Sequence, residues 1–305
     1  MTMSKTQLIS GQPPVVSIGL PVYNGANFLA QALESILAQD MGDFELIISD
    51  NGSTDETPDI CARFAARDSR IHWQRQPSNM GAAKNYNLVF RLASARYFKW
   101  AAHDDLLMPQ FLSHCIAAFE TSANVPALVY PRSDFIDESG QVLRPDPATM
   151  HTGSAYPAVR VFRAIQGMSK VTSVFGLFHR DTLARTRLIG NYISSDYVLL
   201  VECALLGNIM HLEGAPLFQR RFHQKMSVKA NKTDQEVLRW FDPEARSKLT
   251  AQQRLYLEYL RSVYSIGGLT GFQRQLCAVS LISSVLSRRA RVTAGRWRRQ
   301  LFPHA

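Results

Sequence analysis

Two periods of apolar residues alternate along roughly the first 120 positions of the chain. Four short runs are rich in β-branched and aromatic residues and predict strands, at 15–22, 44–49, 71–75 and 97–101. Each run is followed by a segment in which apolar side chains recur every three or four residues, as in 28–37, and this spacing predicts a helix. A strand that alternates with a helix four times predicts an α/β fold, with a mostly parallel sheet and helices on both faces.

The pattern changes after the fourth unit. Residues 126–151 are typical of strand and loop, 195–206 have helical spacing, and 208–223 are β-like and basic at their end. From residue 251 to 286 the spacing is helical again. We therefore predict three parts, namely an N-terminal extension at 1–14, an α/β domain at 15–230 and a helical C-terminal segment at 231–305.

Polar residues cluster where the predicted strands end. The clusters are Tyr23-Asn24, Asp50-Asn51 and Asp104-Asp105. In open α/β sheets ligands bind outside the carboxyl ends of the strands. The sequence therefore predicts that acidic side chains from separate segments meet at one rim of the sheet, in a ligand site.

The acidic residues of these clusters have two interpretations each. Two adjacent carboxylates repel each other, and a hard divalent cation that also binds phosphate oxygens relieves this repulsion for Asp104 and Asp105. Asp50 is able to accept a hydrogen bond from a base imide or a ribose hydroxyl. Alternatively, all three acids cap the helices that follow them.

Charge is distributed unevenly along the chain. The net charge is +9, and residues 251–305 contain nine arginines and one acid. Such a tail is typical of a solvated face, a membrane-surface contact or a nucleic-acid contact. Because no aromatic stacking platform accompanies the arginines, we expect no nucleic-acid partner.

Several classes of protein are excluded by missing motifs. The four cysteines are scattered without a Cys-x-x-Cys pair, so neither a zinc ribbon nor a disulfide framework is expected, and a reducing cytoplasm fits best. We expect no signal peptide and no transmembrane helix. The chain has no Gly-x-Gly-x-x-Gly, P-loop or Gly-x-Ser-x-Gly motif, which argues against dehydrogenases, nucleoside triphosphatases and serine hydrolases.

Four ordered segments carry a resemblance to a known family. They are Val16-Ser-Ile-Gly-Leu-Pro-Val-Tyr-Asn24, Ile48-Ser-Asp-Asn-Gly-Ser-Thr-Asp55, Asn79-Met-Gly81 and Trp100-Ala-Ala-His-Asp-Asp105. Together they resemble the motifs of family 2 glycosyltransferases with the Rossmann-like GT-A fold, strongly over 15–119 and more loosely to about 227. The resemblance implies an inverting, metal-dependent enzyme that moves a sugar from a nucleotide-sugar donor to an acceptor hydroxyl.

The resemblance also implies roles for individual residues. Those expected to bind the nucleotide-sugar are Pro21, Tyr23, Asn24, Asp50, Asn51, Lys84, His103 and Asp104. A divalent metal, Mg²⁺ or Mn²⁺, is expected at Asp105, Asp104 and His223, and Asp196 is expected to be the catalytic base. Two alternatives stay open, since an acid at a helix start such as Asp196 is often a cap and a lone histidine such as His223 is often structural.

One departure from the family pattern weakens the metal site. Ala102 occupies the position of the first acid in the family's Asp-x-Asp motif, and His103 occupies the middle position. A non-catalytic nucleotide-sugar-binding protein of the same fold is therefore the alternative function. For the enzyme we expect a carbohydrate or lipid-linked acceptor and a place in polysaccharide or glycolipid biosynthesis.

The C-terminal segment has two interpretations. Its apolar residues, which precede an arginine cluster, are Leu276, Val279, Leu281, Ile282 and Leu286. They suit a helix that lies on the inner face of a membrane. The alternative is a helix packed on the catalytic domain with its basic end in water.

Overall fold

The computed structural model describes residues 13–168, 172–223, 233–244 and 249–301, with all their side chains except those of 292 and 294–301. The strands are β1 Val16–Val22, β2 Phe44–Asp50, β3 Ile71–Arg75, β4 Tyr97–Trp100, β5 Leu106–Leu107, β6 Leu128–Pro131, β7 Ser133–Ile136, β8 Val142–Pro145, β9 Leu177–His179, β10 Ile209–Leu212 and β11 Phe218–Arg221. The helices are α1 Leu29–Leu37, α2 Thr57–Ala65, α3 Ala82–Leu92, α4 Phe111–Thr121, α5 Pro157–Gly167, α6 Arg180–Ala184, α7 Ser195–Leu206, α8 Asp234–Phe241, α9 Ala251–Ser265 and α10 Gly271–Leu301. A 3₁₀ turn covers Thr172–Phe175.

Seven strands form the main sheet in the order β10-β6-β9-β4-β1-β2-β3. The pairs β1–β2, β1–β4, β2–β3 and β6–β10 are parallel, and only β9 runs antiparallel to its two neighbours in this sheet of the described chain. The predicted mostly parallel α/β sheet is therefore present. Its four N-terminal strands follow the predicted runs to within one residue.

A second, four-stranded sheet was not predicted. Its order is β5-β11-β7-β8. Strand β6 of the main sheet is separated from β7 of the second sheet by the single residue Arg132, so one run of chain passes directly from one sheet to the other. The second sheet brings β11 beside β5, which immediately follows Asp105.

Two apolar cores cover the two faces of the main sheet. Alternation along β4 shows this directly, since Phe98 and Trp100 belong to one core and Tyr97 belongs to the other. Helix α3 packs closely on β1 at Gly19, where a Cβ atom would lie 2.7 Å from a methyl carbon of Val89. A larger residue at this position would push α3 off the sheet.

The C-terminal helices are tied to the α/β domain by a buried ionic network. Arg187 donates to Glu202 of α7 at 2.5 Å and to Glu258 of α9 at 2.5 Å. Helix α10 packs along α5, with the Ser280 hydroxyl donating to the Ala158 carbonyl at 2.6 Å. The predicted domain boundary at 230/231 lies outside the described residues and stays a prediction. Within the described ranges, no helix combines the length and the hydropathy that crossing a bilayer requires.

Candidate functional site

A cavity of about 410 Å³ opens at the carboxyl ends of the central strands. It is lined by residues of the loops after β1, β2 and β4, the start of α3, the end of β11 and helix α8. The sequence-predicted site residues among the lining are Pro21, Tyr23, Asn24, Asn51, His103, Asp104 and Asp105. The predicted residues outside the lining are Asp50, Lys84, Asp196 and His223.

Hydrogen bonds hold the loops after β1 and β2 together. The Asn24 N–H donates to the Ser53 hydroxyl at 2.9 Å, and the Asn24 side-chain oxygen accepts from the Thr54 N–H at 2.9 Å. Asn24 adopts a left-handed φ of 50°, a conformation that asparagine tolerates better than most residues. The two loops therefore form one wall of the cavity.

Asn51 extends this wall to the loop before α3. Its side-chain amide donates to the Asn79 side chain at 2.8 Å, and its oxygen accepts from the Met80 N–H at 3.0 Å. At the start of α3, Asn85 is buried and lines the cavity, and its Oδ1 has no hydrogen-bond partner among the described residues. A buried acceptor without a donor is costly unless a ligand or water supplies one.

Asp50 lies behind the cavity wall rather than on its surface. Its side chain is 0% exposed, and Oδ1 accepts from the Ser53 N–H at 2.9 Å. Oδ2 lies 3.5 Å from Nε of Arg75 and has no hydrogen-bond partner in the described part of the chain. The surroundings of Asp50 are polar, but a contact with a ligand in the cavity requires the Ser53 segment to move or a water to bridge.

Asp104 and Asp105 are fixed by groups on and just beyond β11. The Asp105 Oδ1 accepts from the Arg221 N–H at 2.9 Å, and the Asp104 Oδ2 lies 2.9 Å from Nε2 of His223. The ring of His223 in turn packs edge-on against Phe28, with 4.9 Å between the ring centroids. The structure thus brings His223 to the acidic pair through a hydrogen bond, and its expected role as a metal ligand stays a prediction.

Arg221 connects four segments around the acidic pair. It is buried, and its guanidinium donates to the backbone carbonyls of Asp104, Asp137 and Glu138 at 2.9 to 3.1 Å. It also donates to the side-chain oxygen of Gln31 at 2.9 Å. These bonds satisfy the guanidinium with neutral acceptors, so Arg221 supports the site rather than serving as a ligand-binding cation.

The two carboxyl groups differ in acidity. Burial and the neighbouring Asp104 raise the pKa of Asp105 to about 7. Burial also opposes ionisation of Asp104, but the His223 hydrogen bond and the nearby His103 outweigh it and lower the pKa of Asp104. Asp104 is therefore the anionic member of the pair at neutral pH, and Asp105 gains most from an added cation.

Arg220 interacts electrostatically with Asp105 of this pair and with a third carboxylate, that of Asp196. Arg220 lines the cavity, and its charge lowers the pKa values of both Asp105 and Asp196 against the effect of their burial. The net pKa of Asp196 is raised, because burial dominates. Tyr86 lines the cavity, and its pKa is raised mainly by burial and further by the negative charges of Asp104, Asp105 and Asp196. Tyr86 and Arg220 are therefore within electrostatic range both of the acidic pair and of Asp196.

The capping alternatives fail for three of the acids. Helix α2 begins after Glu56 and helix α4 after Gln110, and neither has a side-chain cap, so Asp50, Asp104 and Asp105 cap no helix. Asp196 lies in the first turn of α7, and its Oδ1 accepts from the Tyr197 N–H at 3.0 Å. Its position thus suits both a helix-stabilising acid and a base.

Lys84 is exposed on α3 and lies near Asp242. A hydrogen bond from Asn191 lowers the pKa of Asp242, burial opposes this effect, and the charge of Lys84 lowers the pKa further. Helix α8 instead contributes Trp240 to the cavity, and α8 starts with a capping box between Thr233 and Glu236. Arg220 lies at the cavity, whereas Lys84, the basic residue expected from the resemblance, does not line it.

The polar and aromatic residues that line the cavity and that sequence reasoning missed include Arg220, Tyr86, Asn85 and Trp240. A helical signal covered Tyr86 and Asn85, and their place after the Asn79-Met-Gly81 segment indicates the cavity side of α3. No comparable signal in the sequence identified Trp240. For Arg220 the sequence indicated only that it lies in the basic end of a β-like segment.

The side chains at the cavity provide enough ligands for a divalent ion only if a bound substrate supplies further oxygen ligands. Among the described residues, no group of three or more His, Cys, Asp or Glu side chains is arranged to hold a metal. Asp104 and Asp105 offer one or two carboxylates, which is the protein contribution that Mg²⁺ ordinarily uses when phosphate oxygens and water complete its shell. His223 is already hydrogen-bonded to Asp104, so it orients a ligand more readily than it acts as one.

The fold and the cavity define an α/β protein of the GT-A type, with its ligand site at the strand ends. Residues 17–170 match the model of glycosyl transferase family 2, and the chain belongs to this family. The resemblance seen in the sequence is thereby confirmed.

Relatives and solved structures agree with this assignment. An uncharacterized glycosyltransferase of Rickettsia felis is 28% identical over 258 residues, which is 80% of this chain and 40% of the relative. Chondroitin synthase of Escherichia coli is 32% identical over 130 residues, or 43% of this chain and 19% of that protein. This chain thus spans less than half the length of these two curated relatives.

Two solved structures share the fold. TarS 1–349 of S. aureus in complex with UDP-GlcNAc has a TM-score of 0.65 at 14% identity, covering 90% of this chain and 73% of that one. The mannosyltransferase PcManGT of Pyrobaculum calidifontis, in complex with GDP-Man and Mn²⁺, has a TM-score of 0.52 at 14% identity and covers 91% and 88% of the two chains. The predicted GT-A fold class is confirmed.

Proposed function

We propose that this chain carries the catalytic site of a metal-dependent, inverting glycosyltransferase. It takes a sugar from a nucleotide-sugar and transfers it to an acceptor hydroxyl, in the synthesis of a polysaccharide or glycolipid. The observation that carries the proposal is the grouping of Asp104, Asp105 and Arg220 at a strand-end cavity of a family 2 fold, with the Asp196 carboxylate within electrostatic range of Arg220. A cation, an acidic pair and a separate carboxylate are the groups that this transfer needs.

In this proposal the nucleotide binds against the wall formed by the loops after β1 and β2. Pro21, Tyr23, Asn24 and Asn51 line it, and Asn85 offers its unpartnered oxygen to a donor group of the nucleotide. Asp50 reaches the base or ribose from behind this wall, through a bridging water or after a movement of the Ser53 segment, in the manner of acidic residues at strand ends of nucleotide folds. UDP and GDP are both candidate nucleotides, because the similar folds were solved with UDP-GlcNAc and GDP-Man.

The diphosphate lies towards the acidic pair and Arg220. Asp104 and Asp105 would hold Mg²⁺ or Mn²⁺, with His223 keeping Asp104 oriented and His103 beside them. When bound, the ion supplies positive charge that stabilises the departing nucleoside diphosphate. Arg220 supplies a further positive charge from the protein, and Lys84 contributes a weaker one from the exposed face of α3.

Asp196 acts as the base. Burial raises the pKa of Asp196, which increases its proton affinity, and the nearby Arg220 limits that rise. Asp196 takes the proton of the acceptor hydroxyl as that oxygen bonds to the anomeric carbon. The bond between the anomeric carbon and the phosphate oxygen breaks on the opposite side, and its electron pair leaves with the nucleoside diphosphate. Attack from the opposite face inverts the configuration.

The experiment is a release assay with a panel of UDP-, GDP- and dTDP-sugars in the presence of Mg²⁺ or Mn²⁺. Base catalysis is typically worth ~10²–10⁴-fold, so Asp196→Asn should lose about that much turnover while nucleotide binding persists. Asp181→Asn is the matched control, since Asp181 is an exposed acid at the start of another helix. Equal turnover of Asp196→Asn and the wild type would remove Asp196 from the mechanism.

A nucleotide-sugar-binding protein without transferase activity is the second candidate. Ala102 lines the cavity where the family carries an acid, and this observation favours it. Calorimetric binding of UDP or GDP with Mn²⁺, without release or transfer from any donor of the panel, would establish this alternative.

The setting of the reaction is also part of the proposal. The acceptor is a carbohydrate or a lipid-linked sugar, and no nucleic acid takes part. We place the chain in a reducing cytoplasm because its four cysteines are all free and buried.

A further inference from the structure

Helix α10 has two apolar faces rather than one. Cys277, Ala278 and Leu281 are buried against the α/β domain, so the interpretation of a packed C-terminal helix holds for this side. The opposite side carries a row of exposed apolar residues, which we call the outer face, and its members are Phe272, Leu276, Val279, Ile282 and Leu286. Leu281, assigned from sequence to a membrane-facing group, points inward instead.

The outer face is exposed to an unusual degree. Phe272 is 73% exposed, Val279 65% and Leu286 59%. The spacing of four, three, three and four residues keeps all five side chains on one stripe of an α-helix. A contiguous apolar row of this kind on a helix surface marks an interaction site more often than isolated exposed residues do.

The charge on the same helix indicates the kind of partner. Gly271–Leu301 contains seven arginines and no lysine, aspartate or glutamate, and residues 275–287 carry no charged side chain at all. Directly after the outer face, Arg288 donates to the Met168 carbonyl at 2.6 Å and Arg289 lies over the Tyr256 ring at 4.8 Å. Both contacting groups, a carbonyl and an aromatic ring, are uncharged, so they do not neutralise the positive charges of Arg288 and Arg289.

We propose that the outer face of α10 docks on an anionic lipid bilayer, with its apolar row in the interface and the positive charge of the segment after Leu286 attracting the anionic headgroups. An amphipathic helix binds such a surface through buried apolar area together with attraction to anionic lipid. A second copy of this chain fits less well, because its matching helix offers no acid to the arginines. This inference does not depend on the proposed transferase activity.

The test is co-sedimentation of the full chain with vesicles of 30% phosphatidylglycerol in phosphatidylcholine, and with vesicles of phosphatidylcholine alone. We expect binding to the anionic vesicles, weaker binding to the neutral ones, and loss of binding in high salt. The double variant Val279→Ser, Leu286→Ser should weaken binding about tenfold or more, because two exposed aliphatic side chains no longer enter the interface.

The matched control is Val142→Ser, Leu143→Ser on β8, where both side chains are about as exposed as those of the outer face. The control should bind like the wild type. Equal binding of the outer-face variant, equal binding to both kinds of vesicle, or no vesicle binding would overturn the proposal. So would a dimer in solution that the outer-face variant dissociates, since it would assign the face to a second copy.

The catalytic proposal is tested separately. The release assay without vesicles should give the same turnover for the outer-face variant and the wild type. A chain that binds vesicles but releases no nucleotide would refute only the proposed function.

Discussion

The Nε2 atom of His223 lies 2.9 Å from the Asp104 Oδ2, and this contact joins the end of β11 to the acidic pair after β4. The two residues are 119 positions apart in sequence. The second sheet brings them together, because β11 pairs with β5 just beyond Asp105. In the proposed enzyme this contact keeps Asp104 ionised and oriented.

Replacement of His223 should therefore change the pH dependence of turnover. The His223 hydrogen bond lowers the pKa of Asp104 against the effect of burial, so His223→Phe raises that pKa. The loss of turnover as pH falls should then begin at a higher pH than in the wild type. His223→Gln, which keeps a hydrogen-bond donor, should shift the profile less. Superimposable pH–rate profiles for His223→Phe and the wild type would contradict this role.

Arg221 should be required for stability. Arg221→Met removes a buried guanidinium and leaves the backbone carbonyls of Asp104, Asp137 and Glu138 without their donor, which should cost about 3 kcal/mol of unfolding free energy. Urea unfolding of the variant measures this cost. The exposed Arg63→Met is the control and should change stability by about 0.5 kcal/mol or less. Equal unfolding midpoints for the two variants would refute the structural role.

Because Lys99 is buried, we predict that the free energy of unfolding increases with pH. The Lys99 side chain donates to the Phe175 carbonyl and lies over the Phe111 ring, and burial lowers its pKa from 10.5 to about 7. Between pH 7 and 10.5 the unfolded chain holds a proton that the folded chain lacks, so stability increases with pH in this window. Below pH 7 the cost of the buried charge is fully present.

The measurement compares the wild type with Lys99→Met in urea. From pH 7 to pH 9 the wild type should gain about 2 kcal/mol of unfolding free energy relative to the variant, because only the wild type has this titration. The pH dependence of other groups is common to both and cancels. Parallel pH dependences for the two proteins would show that Lys99 keeps its ordinary pKa in the fold.

Substitution of Gly25 should weaken nucleotide binding indirectly, through the neighbouring His103. A Cβ atom at Gly25 would lie 2.6 Å from Cδ2 of His103, which lines the cavity. Gly25→Ala should displace His103, weaken UDP or GDP binding several-fold and lower stability by about 1 kcal/mol. Gly42→Ala is the control, since the nearest atom to its Cβ is 3.9 Å away on Arg70. Wild-type nucleotide affinity in Gly25→Ala would contradict this role for His103.

Local patterns predicted the main sheet because its strands are buried along nearly their whole length. The apolar run of β1, for example, is buried at every position, and its polar continuation at Tyr23 and Asn24 reaches the cavity. The carboxyl ends of parallel strands lie at one edge, so the position of the cavity followed from the same pattern.

Long-range placement could not be predicted in this way. Nothing local shows that the chain changes sheets at Arg132, yet that change positions β11. Adjacent arginines on one strand look equivalent in sequence, but Arg221 supports backbone carbonyls while Arg220 acts on Asp105 and Asp196. Asp50 ends its strand as expected, yet its side chain turns towards Ser53 and away from the cavity surface.

The most direct test of the proposed function is calorimetric titration of UDP and GDP into the wild type and into Asp105→Asn, each with Mn²⁺ and with EDTA. Asparagine retains an oxygen for the Arg221 N–H but lacks the charge that binds a cation. We predict that Mn²⁺ tightens nucleotide binding to the wild type about tenfold or more and that this gain is lost in the variant. Nucleotide affinity that is the same with Mn²⁺ and EDTA, or unchanged in Asp105→Asn, would contradict a metal-bridged diphosphate at this site.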